Sequence, residues 1–93
     1  MTAIDVRMIE DNDPLVFEVT VRDAGSETRH RVTLSRNDFE RLSDEADAER
    51  LINAAFRFLL DRESKESILA RFDVSVIARY FPDFEQKLPQ YLK

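Results

Sequence analysis

The chain has 93 residues and a formal net charge of −5, with seven phenylalanines, two tyrosines and no cysteine. This length fits one domain around one hydrophobic core, and the lack of cysteine excludes disulfides, thiol catalysis and cysteine-ligated zinc. The single glycine excludes a glycine-rich phosphate-binding loop.

The charge and hydropathy patterns disfavour membranes and nucleic acids as partners. The N-terminal stretch lacks the basic flank and apolar run of a secretory signal, and no window approaches a membrane-spanning length of apolar residues. Residues 64–93, the most basic segment, carry five basic and four acidic groups. No segment therefore has the surplus of Lys and Arg that a phosphate backbone requires. We expect a cytoplasmic, bacterial-type protein that binds neither a membrane nor a nucleic acid.

Three N-terminal segments alternate between apolar and polar residues, which is typical of half-buried β-strands. They cover residues 3–9, 15–22 and 27–34, and turn-forming residues separate them at 11–14 and 23–26. The pattern predicts a three-stranded antiparallel meander over residues 3–35.

The register of this meander follows from keeping the apolar residues on one face. The pairs predicted on that face are Met8–Phe17, Val6–Val19, Phe17–Val32 and Val19–His30. On the other face the same register places Glu18 between Arg7 and Arg31, and Arg22 opposite Glu27. Opposite charges that face each other across strands favour this register.

The apolar spacing changes to that of a helix after Leu34. Ser35 is a suitable N-cap, and Leu34 and Phe39 occupy the positions of a hydrophobic staple. The sequence predicts a short helix that ends near Leu42. Residues 43–48 then form a connector or the first turn of the next helix.

Residues 47–62 are the longest helix candidate. On a helical wheel one broad apolar face consists of Ala48, Leu51, Ile52, Ala55, Phe58 and Leu59. Phe56 lies at the edge of this face, and Leu60 lies nearly opposite its centre. The pattern favours a central core helix, and a dimer contact through Leu60 is the alternative.

Shorter helices complete the predicted fold, and a polar cap or a proline marks each break between them. The predicted ranges are 65–71 after Ser64, 74–80 after Asp73 and before Pro82, and 83–88 before Pro89. Together with the meander they predict an α+β fold in a single domain, residues 1–93. Four to five short helices from residues 36–93 pack on one face of the sheet.

The helices over 65–71 and 74–80 resemble a helix-turn-helix, so nucleic-acid binding is the alternative function. The buried side of the first helix would be Ile68, Leu69 and Phe72. However, Ala70 and Asp73 are three positions apart, where the motif has an alanine and a glycine four apart. Arg79 is also the one basic residue of the second helix. We therefore favour a structural helical hairpin.

No group of side chains predicts an active site or a metal site. His30 is the sole histidine, and it has apolar neighbours in the pattern, whereas a metal needs three or four convergent donors. Residues 10–13 lack the glycine and the distal glutamate of a calcium loop. Asp61, Glu63 and Glu66 lie near a helix junction as solvent-facing caps, with no paired acid and base. We expect no catalytic residue, cofactor or metal, and a small hydrolase ranks last among the functions considered.

The stretch FLLDRESKESILARFDVSVIARYFPDFE, residues 58–85, resembles a group of small bacterial proteins of unknown function. These proteins carry a similar FLL-RE-SIL-FD-VI-YFP series after a strand-rich start. The resemblance covers roughly the C-terminal half of the chain. It implies a free-standing domain and no activity or site residue.

The last fourteen residues are crowded with apolar side chains, namely Tyr80, Phe81, Phe84, Leu88, Tyr91 and Leu92. In one interpretation these side chains close the core over Phe56 and Leu60. In the other, a partly exposed surface for a partner protein or a second copy is formed by Phe84, Leu88, Tyr91 and Leu92. The sequence thus predicts a non-enzymatic interaction or regulatory domain that binds an unknown protein or forms a homodimer.

Overall fold

The described part of the chain folds into a mixed four-stranded sheet with helices packed on one of its faces. A computed structural model describes residues 2–43 and 46–92. The elements are β1 (Ala3–Glu10), β2 (Leu15–Asp23), β3 (Ser26–Leu34), α1 (Arg36–Leu42), α2 (Ala48–Leu60), β4 (Arg71–Asp73), α3 (Ile77–Tyr80) and α4 (Phe84–Leu92). Short 3-10 turns at Lys65–Ser67 and Val74–Val76 lie on either side of β4. The predicted α+β class is confirmed, and the described part of the sheet has one strand more than predicted.

The N-terminal meander has the predicted register. The apolar face carries the pairs Met8–Phe17, Val6–Val19, Phe17–Val32 and Val19–His30. On the open face Glu18 lies 3.0 Å from Arg7 and 3.9 Å from Arg31, and Arg22 lies 3.1 Å from Glu27. Exposed pairs of this kind contribute only ~0.2–1 kcal/mol each. They nevertheless favour this register, because a shifted strand would bring like charges together.

The turn between β2 and β3 is tighter than the predicted four-residue loop at 23–26. Asp23 pairs with Ser26, so only Ala24 and Gly25 connect the two strands. Both residues have positive φ angles, of 49° and 79°. Two consecutive left-handed residues are typical of the two-residue hairpin turn whose twist matches that of the flanking strands. The register is unchanged, because Asp23 and Ser26 face each other in either description.

The first helix begins at the predicted cap, and the second begins at a cap that the sequence analysis did not name. The Ser35 hydroxyl accepts a hydrogen bond from the amide of Asp38 at 3.0 Å, and α1 ends at Leu42 as expected. The Asp47 carboxylate accepts one from the amide of Arg50 at 2.7 Å and so starts α2. Part of the predicted connector, residues 44 and 45, lies outside the described residues.

The core lies between the apolar face of the sheet and α2. All six residues of the predicted α2 face are buried: Ala48, Leu51, Ile52, Ala55, Phe58 and Leu59. Phe56 is buried as well, because its ring packs between His30 at 5.4 Å and Phe72 at 5.9 Å. Leu60 is half-buried. The central core helix is therefore confirmed.

The predicted helix over 65–71 is wrong. Ser64 makes no capping hydrogen bond through its side chain, and only one 3-10 turn follows it. The chain then extends as β4 and pairs in parallel with β3, with Val32 opposite Phe72. The amide of Arg31 donates to the carbonyl of Ala70 at 2.7 Å. The extended backbone at this position provides hydrogen-bond partners for the N–H and C=O groups of β3 that point away from β2. A helix could not provide them, because its own backbone groups bond to one another.

The predicted helical hairpin at 65–80 is absent for the same reason. Its second part is a 3-10 turn followed by the four-residue helix α3. Asp73 does cap this unit, since its carboxylate accepts a hydrogen bond from the amide of Ser75 at 3.0 Å. The helix-turn-helix on which the alternative function depended is therefore not formed.

The predicted stop at Pro89 is also wrong, because α4 continues through this residue to Leu92. Two arginines of α2, Arg50 and Arg57, donate hydrogen bonds to the carbonyls of Leu92 and Tyr91. These bonds satisfy carbonyls that a helix leaves unpaired at its C-terminus. Packing against α2 thus offsets the local cost of the proline.

Candidate functional site

Three of the four residues of the predicted partner surface are buried within the chain itself. Phe84 and Leu88 are 1% exposed and Leu92 is 8% exposed. The Phe84 ring packs edge-on against Phe58, with the ring centroids 5.1 Å apart. Tyr91 is half-buried, and its hydroxyl donates to the Asp61 carboxylate at 2.6 Å. Of the two interpretations of these residues, partial exposure is therefore wrong for Phe84, Leu88 and Leu92, which close the core because α4 packs along α2.

The apolar surface that remains accessible forms a groove on another part of the molecule. Its volume is about 200 Å³. Its walls come from the C-terminal end of α2, the segment before β4, and α3 with the residues that follow it. The lining residues are Leu59, Glu63, Ser67, Ile68, Leu69, Phe72, Val76, Ile77, Tyr80 and Phe81. We call this feature the α2–α3 groove.

Two large apolar side chains stand at the rim of the α2–α3 groove. Leu69 is 48% exposed and Tyr80 is 68% exposed, whereas Ile68 and Ile77 in the groove are buried. Within the described residues no other large hydrophobic side chain is classed as exposed. The groove therefore has a buried apolar floor and a solvent-exposed apolar rim.

The extended geometry of β4 sets the position of Leu69. The carbonyl of Leu69 accepts a hydrogen bond from Nδ1 of His30 at 2.8 Å, and Ala70 bonds to β3. With its backbone held against β3, Leu69 lies outward instead of on the buried side of a helix, where the sequence placed it. Ile68, one residue earlier, is buried. The segment before β4 thus places Ile68 in the core and Leu69 at the rim.

The other wall depends on Asp73, which joins β4 to the 3-10 turn before α3. Thr33 donates to the Asp73 carboxylate at 2.5 Å, and the amide of Ser75 donates at 3.0 Å. Burial by itself raises the pKa of Asp73, but the hydrogen bonds from Thr33 and Ser75 outweigh it and hold the pKa below the ordinary value of 3.8. The ionised carboxylate therefore orients the chain that carries Tyr80.

Among the described residues, Glu63 is the one carboxylate that lines the groove. Burial raises the pKa of this carboxyl above its ordinary value of 4.5. No cation among residues 2–43 and 46–92 forms an ion pair with it, although many other carboxylates of the chain are paired. The sequence suggested a solvent-facing cap at this position. The structure instead places a partly desolvated negative charge beside an apolar surface.

His30, Asp11 and Asp13, which the sequence analysis considered as possible site residues, have structural partners. His30 is buried and contacts Leu69 and Thr28, so both ring nitrogens are hydrogen-bonded. Asp11 and Asp13 accept hydrogen bonds from Arg36 across the β1–β2 loop. In the described part of the chain no three His, Asp or Glu side chains are grouped as metal ligands.

Lys65 is a buried charged residue, 4% exposed, that the sequence analysis did not identify. Its ammonium group lies 2.5 Å from Asp23 and 2.7 Å from Glu66. Hydrogen bonds to Asp23 and then Glu66 hold the pKa of Lys65 above its ordinary value. The side chain thus ties the turn before β4 to the β2–β3 hairpin and stays charged.

Helices long and apolar enough to span a bilayer do not occur among the described residues. Comparison with protein-family models, curated proteins and solved structures finds no match for this chain. The resemblance to small bacterial proteins of unknown function therefore stays a prediction. Any assignment of function rests on the geometry and charge of the groove.

Proposed function

We propose that this protein is a non-enzymatic interaction domain whose α2–α3 groove binds a short apolar segment of a partner protein. The observation that carries the proposal is the exposed pair Leu69 and Tyr80 at the rim of an apolar groove, which also contains a carboxylate with no ion-pair partner among the described residues. Small domains rarely leave adjoining apolar side chains in water unless a partner covers them. Tyrosine is also among the residues most enriched at protein interfaces.

The size of the groove favours side chains of a protein over a free metabolite. Sites for small ligands commonly enclose ~300–1,000 Å³ and bury most of the ligand. The α2–α3 groove has about 200 Å³ and is open along one side. This volume suits one or two apolar side chains that enter from a segment lying across the rim.

The charge of the groove favours a cationic residue on that segment. Glu63 is partly desolvated and unpaired within the described chain, so its ionised form carries an uncompensated cost. A Lys or Arg placed beside an apolar anchor would offset this cost and fix the orientation of the segment. We therefore propose an apolar segment with a neighbouring Lys or Arg as the bound element.

The proposed role of the groove is binding without catalysis. The titratable groups that line the groove are the carboxyl of Glu63 and the phenol of Tyr80. Among the described residues no second carboxyl lines the groove to form an acid–base pair with Glu63. A surface with one carboxylate and many apolar side chains supports recognition better than catalysis.

Selection from a random peptide library displayed on phage tests this function. The immobilised full chain should enrich peptides that combine two or more apolar residues with a Lys or Arg. Leu69→Ser and Tyr80→Ser should each lose these peptides, since they remove the rim. Val16→Thr is the matched control, because Val16 lies on the open face of the sheet and the change removes apolar surface away from the groove.

Glu63→Gln tests the charge separately. Binding of a selected peptide to the unchanged protein should strengthen as pH rises through the raised pKa of Glu63, because the anion pairs with the peptide cation. This pH dependence should disappear in the Glu63→Gln variant. Enrichment of no peptide, or peptides that bind the Leu69→Ser and Tyr80→Ser variants equally well, would contradict the proposed function.

A further inference from the structure

Strand β1 forms one edge of the sheet, in the order β1-β2-β3-β4. The hydrogen-bond pattern of the β2–β3 hairpin determines which residues of β1 point their N–H and C=O groups toward β2 and which point them away from it. Asp23 and Ser26 close a two-residue turn, so they exchange hydrogen bonds, and alternate residues of β2 back to Leu15 bond to β3. The even-numbered residues of β2 therefore bond to β1.

The partners of those even-numbered residues are Ala3, Asp5 and Arg7. The N–H and C=O groups of Ile4, Val6 and Met8 consequently lie on the free side of β1. The hydrogen bond from the Met8 amide to the Glu49 carboxylate, at 3.3 Å, agrees with this assignment. The described chain thus has a strand edge of eight residues with outward amides at Ile4 and Val6.

This edge has little of the protection that usually prevents strands from pairing. Ala3–Glu10 contains no proline or lysine, and the side chains of Ile4, Val6 and Met8 are only half-buried. Protection is confined to one end, where Glu49 covers the Met8 amide and the register shifts between Met8 and Glu10. The remainder of the strand is open to another strand.

The sequence of the edge is self-complementary. We propose that the β1 strands of two copies of this chain pair in antiparallel fashion about a two-fold axis at Val6, which joins their sheets. In this register Val6 faces Val6 of the second copy, Ile4 faces Met8, and Asp5 faces Arg7. A shift of two residues in either direction would place Arg7 opposite Arg7 or Asp5 opposite Asp5, so charge selects the register.

The charges of β1 are available for such contacts. Asp5 is exposed and faces Thr20 on β2, and it forms no ion pair within the described chain. Arg7 binds Glu18 at 3.0 Å, but its side chain is 70% exposed and its guanidinium has further donors. Each copy thus offers an unpaired anion and an accessible cation on either side of the axis.

Helix α2 supports the same arrangement, because it runs antiparallel to β1 along the edge. Glu49 at its start reaches Met8, and Leu60 at its end lines a surface depression together with Ile4, Asn53 and Arg57. Pairing of two β1 strands brings the α2 helices of both copies beside each other. The half-buried Leu60 then lies within the interface, while the α2–α3 groove, bounded by β4, stays outside it.

Sedimentation velocity of the full chain, from micromolar to millimolar concentration, tests the proposal. We expect a concentration-dependent dimer. Asp5→Arg and Arg7→Asp should each raise the dissociation constant by about tenfold or more, because each replaces attractive pairs with like charges. Glu40→Arg is the control, since it makes the same charge change as Asp5→Arg at an exposed position of α1. An equimolar mixture of the Asp5→Arg and Arg7→Asp chains should associate again, because opposite charges then face each other.

Cysteine cross-linking tests the register, since the chain has no thiol of its own. Val6→Cys should form a disulfide-linked dimer under mild oxidation, because paired residues in an antiparallel sheet have Cα atoms ~5.5 Å apart. Ala3→Cys should not, because the two copies of residue 3 lie at opposite ends of the paired strands. A monomer at all concentrations, or a dimer that Asp5→Arg and Arg7→Asp leave unchanged, would overturn the proposal.

Discussion

The imidazole of His30 and the backbone carbonyl of Leu69 are joined by a hydrogen bond of 2.8 Å, although the two residues are 39 positions apart. A carbonyl only accepts, so Nδ1 of the ring carries the proton. The other ring nitrogen, Nε2, is hydrogen-bonded to the hydroxyl of Thr28, also at 2.8 Å. A buried histidine thereby fixes the segment that carries one rim of the groove.

His30→Phe should lower the free energy of unfolding by about 1–3 kcal/mol, because an aromatic ring is kept while the partly buried Leu69 carbonyl loses its donor. Thr28→Val is the control, since it removes only the hydrogen bond to Nε2 and should cost less. Urea denaturation of the three proteins measures the difference. A His30→Phe variant as stable as the unchanged protein would show that the bond to Leu69 contributes nothing.

Asp73→Ala should lower the free energy of unfolding by about 1 kcal/mol, because it removes the cap of the turn before α3. Asp73→Asn keeps a capping oxygen and should cost less, since it loses one of the two hydrogen bonds that the carboxylate accepts. Urea midpoints at neutral pH measure both effects. A midpoint shift of zero for Asp73→Ala would mean that Asp73 does not cap.

The contribution of Asp73 should also depend on pH with a defined sign. Because its pKa in the folded protein is below the ordinary value of 3.8, the ionised form favours folding. The stabilisation is complete above pH 3.8 and is lost as pH falls through the lower folded-state pKa. The difference in stability between the unchanged protein and Asp73→Asn should shrink over that range, and a constant difference would contradict this assignment.

Ala24→Asn should raise the free energy of unfolding by about 0.5–1 kcal/mol. Alanine at a φ of 49° is strained, and asparagine tolerates this left-handed backbone better. Gly25→Ala should have the opposite effect, of about 1 kcal/mol, from backbone strain alone. An added Cβ at Gly25 would meet no atom within 4 Å, so no steric contact confuses the comparison. Thermal unfolding measures both variants, and a destabilised Ala24→Asn would refute this account of the turn.

Phe84→Ala should destabilise the protein far more than Tyr80→Ala, because Phe84 lies in the core and Tyr80 on the surface. Phe84 is 1% exposed, so its truncation should cost about 3–5 kcal/mol. Tyr80 is 68% exposed, so its truncation should change stability by no more than about 0.5 kcal/mol. Chemical denaturation with guanidinium distinguishes these values. Comparable losses for both variants would place Tyr80 in the core and remove one rim of the groove.

Local patterns were sufficient for the meander and its register. The alternation through Val19 and the charges of Arg7, Glu18 and Arg31 define pairs between strands that are adjacent in sequence. They were not sufficient for residues 65–71, because Ile68, Leu69 and Phe72 have a spacing that also fits a helix. The choice of a strand there depends on unpaired backbone groups of β3, about forty positions earlier, which no local window contains.

The candidate site was harder to predict than the fold. Leu69 and Tyr80 are apolar residues at helical spacing from core residues, so a pattern assigns them to the core. Phe84 and Leu88 have the same spacing, and they are buried only because α4 continues past Pro89 and packs along α2. Exposure in this region follows from how three segments meet, which single-sequence periodicity does not determine.

The pairing of β4 with β3 has a consequence for how the molecule opens. The hairpins of the meander close short loops, whereas Thr33 and Asp73 meet only after a loop of forty positions is closed. β4 also has just three residues, so it has few amides to hold it in place. It should form last during folding and, by the same account, exchange its amide hydrogens before the meander does. Transient release of β4 would carry Leu69 away from Tyr80, so the groove could widen for a larger side chain while the remaining sheet stays intact.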